Sequence, residues 1–142
     1  MPSHHPCPCG RLGASKKPLA FAECCGRYLD AFAATPAPDA ESLMRSRYSA
    51  FALGRRDYLL ATWHADQRPA ELTLDAGVKW LGLEVRSQTL QDASHAEVEF
   101  VARYRVGGRA PSTGSTQAVR LHELSRFIRV EGRWYYVDGD QK

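Results

Sequence analysis

An α+β fold is predicted for this chain on three observations. A helical pattern ends near residue 53, an alternating pattern of period two takes over at Trp80, and no internal repeat interrupts either. The length of 142 residues, with 44% hydrophobic and 25% charged residues, suits one compact globular domain. At this size a single core buries roughly two-thirds of the surface that the unfolded chain exposes, so the main body needs no staple. All four cysteines nevertheless fall within the first 25 residues, as Cys7-Pro8-Cys9 and Cys24-Cys25. That asymmetry predicts a small metal-bound appendage on a self-sufficient body.

Taken in order, Leu19 to Cys25 reads as a short helix closed by Gly26, and the Pro/Ala-rich stretch from Ala33 to Pro38 reads as a linker. Asp39 caps a helix from Ala40 to Leu53 that Gly54 ends. Met44, Tyr48 and Phe51 share one face of it, and Arg47 lies one turn from Leu43 and Phe51, so Arg47 reaches the interior. A buried arginine must be paired. The commoner origin of such a pattern is a structural ion pair, here with Glu123; the functional reading is an anion-holding group in a pocket. Asp57 caps a second short helix through Tyr58, Leu59, Leu60 and Trp63 toward His64.

Beyond Trp80, Leu81, Leu83 and Val85 alternate with Gly82, Glu84 and Arg86, and Ala96 to Val106 alternates in the same way. Gly107 to Thr116 reads as a loop, Gln117 to Phe127 as a third strand, and Glu131-Gly132 as a tight turn into a fourth strand ending Trp134-Tyr135-Tyr136-Val137. The third strand carries an anomaly. Its apolar face reads Val119, Leu121, Glu123, Ser125, Phe127, which puts an acid and a hydroxyl where core residues belong. Glu123 is therefore a candidate general acid or base, alongside His64, Tyr104 or Tyr136; the competing readings are the ion pair with Arg47 and a bulge that turns Glu123 to solvent. The candidate pocket set is Arg47, Tyr104, Glu123, Ser125 and Tyr136, with Glu123 and His64 as catalytic candidates. His122 falls on the opposite face as a surface histidine.

The net charge of +3 is mildly basic and far from the concentrated charge of a nucleic-acid binder. Of 19 basic residues 15 are arginine, which names no partner. The N-terminus lacks the apolar segment of a signal peptide and no run approaches the ~18 apolar residues of a membrane span, so a cytoplasmic protein without membrane insertion is expected. In a reducing compartment metal ligation is the better use of the sulfurs. Zinc takes four thiolates at about 2.3 Å, and Cys7, Cys9, Cys24 and Cys25 supply two pairs that face each other once the chain folds back. His4 and His5 read as a solvated tail. Arg11, Lys16, Lys17 and Arg27 lie close by to offset a formal charge of about −2 on a four-thiolate zinc centre.

Cys-Pro-Cys-Gly followed by Cys-Cys-Gly resembles the SEC-C zinc motif known from the tail of the translocation ATPase SecA. Downstream, Leu43-Met44-Arg45-Ser46-Arg47-Tyr48, Asp57-Tyr58-Leu59, Thr62-Trp63-His64, Trp80-Leu81-Gly82-Leu83, Ser125-Arg126-Phe127 and Gly132 to Gly139 are similar to the YchJ-like family of bacterial proteins. The spacer between the cysteine pairs is 14 residues against about eight in the motif, an enlargement that loop-closure entropy tolerates. The resemblance implies a zinc knuckle over 1–32, a linker over 33–39, and a nuclear-transport-factor-2-like cone over 40–142, a curved antiparallel sheet wrapped by helices.

Three functions compete. The leading one is a non-catalytic zinc-binding protein whose knuckle docks on a protein partner and whose cone buries a ligand, because a four-cysteine zinc has no open coordination position. The second is a cone-fold enzyme of the isomerase, dehydratase or hydrolase kind, resting on fold analogy. The third is RNA or ribosome binding through the basic residues around the zinc, with Phe21 and Tyr28 as stacking groups. Cone folds often dimerise through the outer face of the sheet, so a homodimer is one expected assembly. There Arg103, Arg105, Arg120 and Arg126 make a like-charged surface unless Glu97 and Glu99 interleave.

Overall fold

The computed structural model describes residues 5–13, 15–74, 77–106 and 118–142. His4, Gln117 and the predicted loop from Gly107 to Thr116 lie outside the described residues. A 3-10 turn (Phe21–Glu23) and a short helix α1 (Gly26–Leu29) precede α2 (Ala40–Leu53) and α3 (Arg56–Ala61). Four strands follow, β1 (Val78–Asp92), β2 (His95–Val106), β3 (Ala118–Val130) and β4 (Arg133–Gln141), in one antiparallel sheet of order β1-β2-β3-β4. Helices then strands, as the sequence pattern predicts, make the fold α+β.

α2 runs over the predicted residues, and both its ends have local causes. The extended Asp39 accepts a hydrogen bond from the Ser42 amide at 2.7 Å, satisfying a donor the first turn leaves open. At the other end Gly54 adopts φ 74°, the left-handed geometry that closes a helix cheaply only with glycine. α3 departs from prediction. Its N-cap is Arg55, and Asp57 sits inside the first turn, where its charge favours the helix dipole but caps nothing. Gly26 also departs: it begins α1 instead of closing the preceding turn. A Cβ there would stand 2.7 Å from the Phe21 carbonyl oxygen and 2.9 Å from its ring, so the glycine serves close packing.

Strand alternation holds with one correction. The β1–β2 register slips between Trp80 and Gly82, and the extra residue, Leu81, turns outward and is 41% exposed. Trp80, Leu83 and Val85 keep the inner face. Further irregularities, between Val85 and Ser87 and between Leu90 and Asp92, bend the same strand, as bulges do. In β3 the inner face is the predicted one; β2 adds Val101, which is fully buried although it faces the outer side. The turn at Glu131-Gly132 has φ 51° and 82°, the paired positive values of a tight hairpin. The β4 edge is covered: the Tyr136 amide donates to the Thr62 carbonyl at 2.8 Å and the His64 amide to the Tyr136 carbonyl at 2.7 Å.

The first 30 residues are not an appendage. All four cysteines, Phe21, Tyr28 and Leu29 belong to the same buried cluster as α2 and the sheet. α2 is buried on two sides, which corrects the picture of a body complete without the knuckle. Its stripe of Ser42, Ser46 and Ser49 lies opposite the face formed by Met44, Arg47, Tyr48 and Phe51. Arg11 donates to Ser42 Oγ at 2.9 Å, and Ser49 Oγ meets Cys7 Sγ at 3.5 Å. Arg133 closes the other end, donating to the Phe32 and Ala33 carbonyls and stacking on the Phe32 ring. Replacing the cap by Asp39→Ala is expected to cost about 1 kcal/mol. Urea unfolding with an unchanged slope measures it.

Candidate metal centre and the cavity behind it

The long spacer between the cysteine pairs folds as a narrow two-stranded ribbon. Cys7 donates its amide to the Leu19 carbonyl at 2.9 Å, and Leu19 donates to the Arg11 carbonyl at 3.1 Å, with bridges at Pro6–Ala20 and Leu12–Pro18. The ribbon returns the second pair to the first. Gly10 turns the chain after Cys9 with φ 74°. The four sulfurs then lie within 4.8 Å of one another, with Cys9 Sγ and Cys24 Sγ 3.6 Å apart. A tetrahedron with ~2.3 Å metal–sulfur bonds has sulfur edges of about 3.8 Å, so the cluster has the size of a four-thiolate site.

The electrostatics of the four sulfurs suit a cation. Cys24 and its neighbours hold the Cys7 thiol far below its ordinary range and bring Cys9 down to about 7, while the same contacts push Cys25 far up. Four thiols packed this closely cannot all be thiolates unless a positive ion neutralises them. Surrounding groups complete the setting. Arg45 donates to the Cys9 carbonyl at 3.2 Å and to Glu41 at 2.8 Å, and Arg27 donates to the Cys24 carbonyl at 3.1 Å. Arg27 is thus tied to the knuckle itself, whereas Arg11 reaches across to Ser42 and Glu41 of α2. Phe21 and Tyr28 are buried at 8% and 5% exposure, which corrects their reading as stacking groups open to RNA.

Behind α2, on the side away from the sulfurs, a cavity of ≈170 Å³ lies against the sheet. Arg47, Glu123, Ser125 and Tyr136 line it, as do Trp63, Trp80 and Phe51. Two sequence candidates stay outside. Tyr104 is absent from the lining and reaches it through Trp80, 5.2 Å away ring to ring. His64 Nδ1 faces Asp66, and its ring meets Tyr135 at 6.3 Å. His122 faces outward as predicted, but it is held against Glu99 Oε2 at 2.7 Å and is not a plain surface group. On that face Arg126 pairs with Asp138 and Asp140, whereas Arg103 stands opposite Arg120.

The ion pair expected between Arg47 and Glu123 does not form. Among the described residues Arg47 has no carboxylate within 4.0 Å. It donates instead from Nη1 to the Leu59 carbonyl at 2.8 Å and to Thr62 Oγ1 at 2.7 Å. Its guanidinium also lies over the rings of Trp63 and Tyr136 at 5.1 and 4.5 Å. The Leu59 carbonyl, the Thr62 hydroxyl and two aromatic faces take the place of a carboxylate. Burial lowers the Arg47 guanidinium to about 10, so it remains charged at neutral pH. Glu123 keeps to its own strand, accepting from Ser125 Oγ at 2.6 Å and lying over Gly139, where a Cβ would meet its oxygen at 2.3 Å. Burial and the nearby Glu123 charge raise the Tyr136 hydroxyl to about 12.

A family model for the YchJ middle NTF2-like domain matches residues 39–139. The chain belongs to the YchJ-like UPF0225 family. A UPF0225 relative from Polaromonas sp. (strain JS666) is 69% identical over 136 residues, covering 96% of this chain and 93% of its own. One from Bordetella pertussis is 57% identical, covering 94% and 91%. Among solved structures, a SEC-C motif containing protein from Psychrobacter arcticus is 34% identical with a TM-score of 0.73, covering 96% of this chain and 82% of its own. The solution structure of a SEC-C motif containing protein from Rhodopseudomonas palustris gives 34% and 0.72, covering 96% and 98%. The YchJ-like fold here is therefore an NTF2-like antiparallel sheet with few helices and an N-terminal SEC-C cluster of four cysteines that can hold a metal ion. No helix among the described residues is long and apolar enough to cross a membrane.

Nothing in the sequence marked Thr62 as the partner of Arg47; only the return of α3 onto α2 supplies it. Thr62→Val removes that acceptor at nearly constant volume and leaves a buried charge with one bond fewer. The expected loss is about 1.5–3 kcal/mol in urea unfolding, the range for hydrogen bonds to charged groups.

Proposed function

We propose that this protein is a non-catalytic binding protein in which a structural zinc, held by Cys7, Cys9, Cys24 and Cys25, braces α2 over a ligand cavity in the sheet. The observation that carries this reading is the position of α2 between the cysteine cluster and the cavity. Ser49 and Arg45 touch the cluster from one side of the helix while Arg47 and Tyr48 line the cavity from the other. Four cysteine ligands leave zinc no open position for water, so the metal supplies shape and stability and no Lewis-acid chemistry. The cavity has what a small-molecule site needs: apolar walls with a few convergent polar groups. Aromatic rings make up most of its wall, and Arg47, Glu123, Ser125 and Tyr136 supply the polar points.

The enzyme reading has less support, because the second proton-transfer candidate, His64, stands outside the cavity. Docking of a partner through the knuckle is likewise less favoured, since its aromatic residues are turned into the core.

The test has two parts on the full chain. Metal analysis is expected to find about one zinc per chain, and Cys24→Ser is expected to lose it with at least about 3 kcal/mol of stability. Removing the zinc with a chelator is expected to shift the indole signals of Trp63 and Trp80 in proton–nitrogen correlation spectra. A screen of small ring compounds on the zinc-loaded protein is expected to move those same two signals and to spare Trp134, which does not line the cavity. A metal-free protein of equal stability would sink the brace, and a screen in which no compound reaches the two indoles would sink the ligand site.

A further inference from the structure

Arg47 puts a positive charge on the cavity wall with no carboxylate within ion-pair distance among the described residues. Arg47 is 6% exposed, and both of its hydrogen bonds, at 2.8 and 2.7 Å, leave from Nη1. Nε and Nη2 donate to no acceptor among the described residues, and neither is sealed from solvent, since no fully buried side-chain nitrogen there lacks a partner. Glu123, the acid on the same wall, is engaged by Ser125 and lies beyond ion-pair distance of Arg47. The two rings over the guanidinium offset part of its charge, but a ring face is a weaker partner than an anion for a desolvated cation. The guanidinium edge that remains matches the two oxygens of one carboxylate.

The rest of the cavity limits what carries that carboxylate. Its volume of ≈170 Å³ is close to the ~150 Å³ that a benzene ring occupies in an apolar protein cavity, so one ring with a small substituent fills it. Phe51, Trp80, Trp63 and Tyr136 present ring faces and edges suited to a flat aromatic guest. Glu123 sets the charge count, because a second negative group would face its carboxylate across a small low-dielectric space. This inference rests on the ligand-binding reading of the cavity. We propose that the cavity binds a single-ring aromatic monocarboxylate, with its carboxylate on Arg47 and its ring among the aromatic walls.

The experiment titrates zinc-loaded full-length protein with benzoate, benzyl alcohol, benzylammonium and phthalate, following the indole signals of Trp63 and Trp80 with Trp134 as the internal reference. Benzoate is expected to bind at least about tenfold more tightly than benzyl alcohol, the gain of a charge-assisted pair, and phthalate and benzylammonium are expected to bind more weakly than benzoate. Arg47→Lys keeps the charge and loses the fork, and is expected to bring the benzoate to benzyl alcohol ratio toward one. Should that variant fold poorly, Ala102→Leu fills the cavity from β2 and is expected to abolish benzoate shifts while the remaining spectrum stays native. Benzyl alcohol or benzylammonium binding as tightly as benzoate would overturn the carboxylate assignment and leave the ligand site standing. Absence of binding by all four would overturn both.

Discussion

The burial of α2 on two opposite sides is the constraint on which the rest of this structure depends. A helix with one apolar stripe needs one partner surface; α2 has two buried faces of different chemistry and needs two. Toward the sheet it presents Met44, Arg47, Tyr48 and Phe51. Toward the cysteine cluster it presents serines, whose small side chains let the knuckle backbone come close and whose hydroxyls supply hydrogen bonds there. Removing either partner exposes apolar surface and strands polar groups at once, because knuckle, helix and sheet share one buried cluster.

The same arrangement joins the two chemically unusual features of the molecule. Four thiols packed within 4.8 Å of one another concentrate potential negative charge on one side of α2, and an arginine without a carboxylate partner holds positive charge on the other. The cluster has a hydrogen bond between Cys7 and Ser49, carbonyl contacts from Arg45 and Arg27, and the size for a tetrahedral ion. Arg47 has the Leu59 carbonyl, the Thr62 hydroxyl and two aromatic faces, and it lines the cavity. Both sites share α2, which is buried on both of these sides, so each is built on the same helix.

Several local features were legible because their causes are local. The Asp39 cap and the Gly54 stop fix α2 to the residue, and Glu131-Gly132 fixes the last hairpin, since each rests on backbone geometry within a few residues. The cysteine pairs were legible as one cluster for a chemical reason: four soft ligands in two close pairs have few other uses. Where the pattern misled, the cause was nonlocal. Leu81 sits in phase with Leu83, yet a bulge against β2 turns it outward, and no feature of β1 alone marks that slip. Gly26 looked like a helix stop because glycine usually is one there; its role is set by the Phe21 ring folded across it. Arg47 and Glu123 looked like partners because opposite charges on facing elements commonly pair, but α3 and β4 reach Arg47 first.

By itself the sequence determined the fold class, the helix that divides the molecule, the inner face of β3 and the four sulfurs that come together. Those are consequences of period, capping geometry and ligand chemistry, all encoded over short spans of chain. Only the tertiary structure decided that the knuckle shares the core, that Arg47 is held by Thr62 and aromatic rings, and that Glu123 and Ser125 share a cavity from which Tyr104 and His64 are left out. These depend on which of several competent partners arrives within about 3 Å of a given atom, and that choice is made by the packing of distant segments against one another.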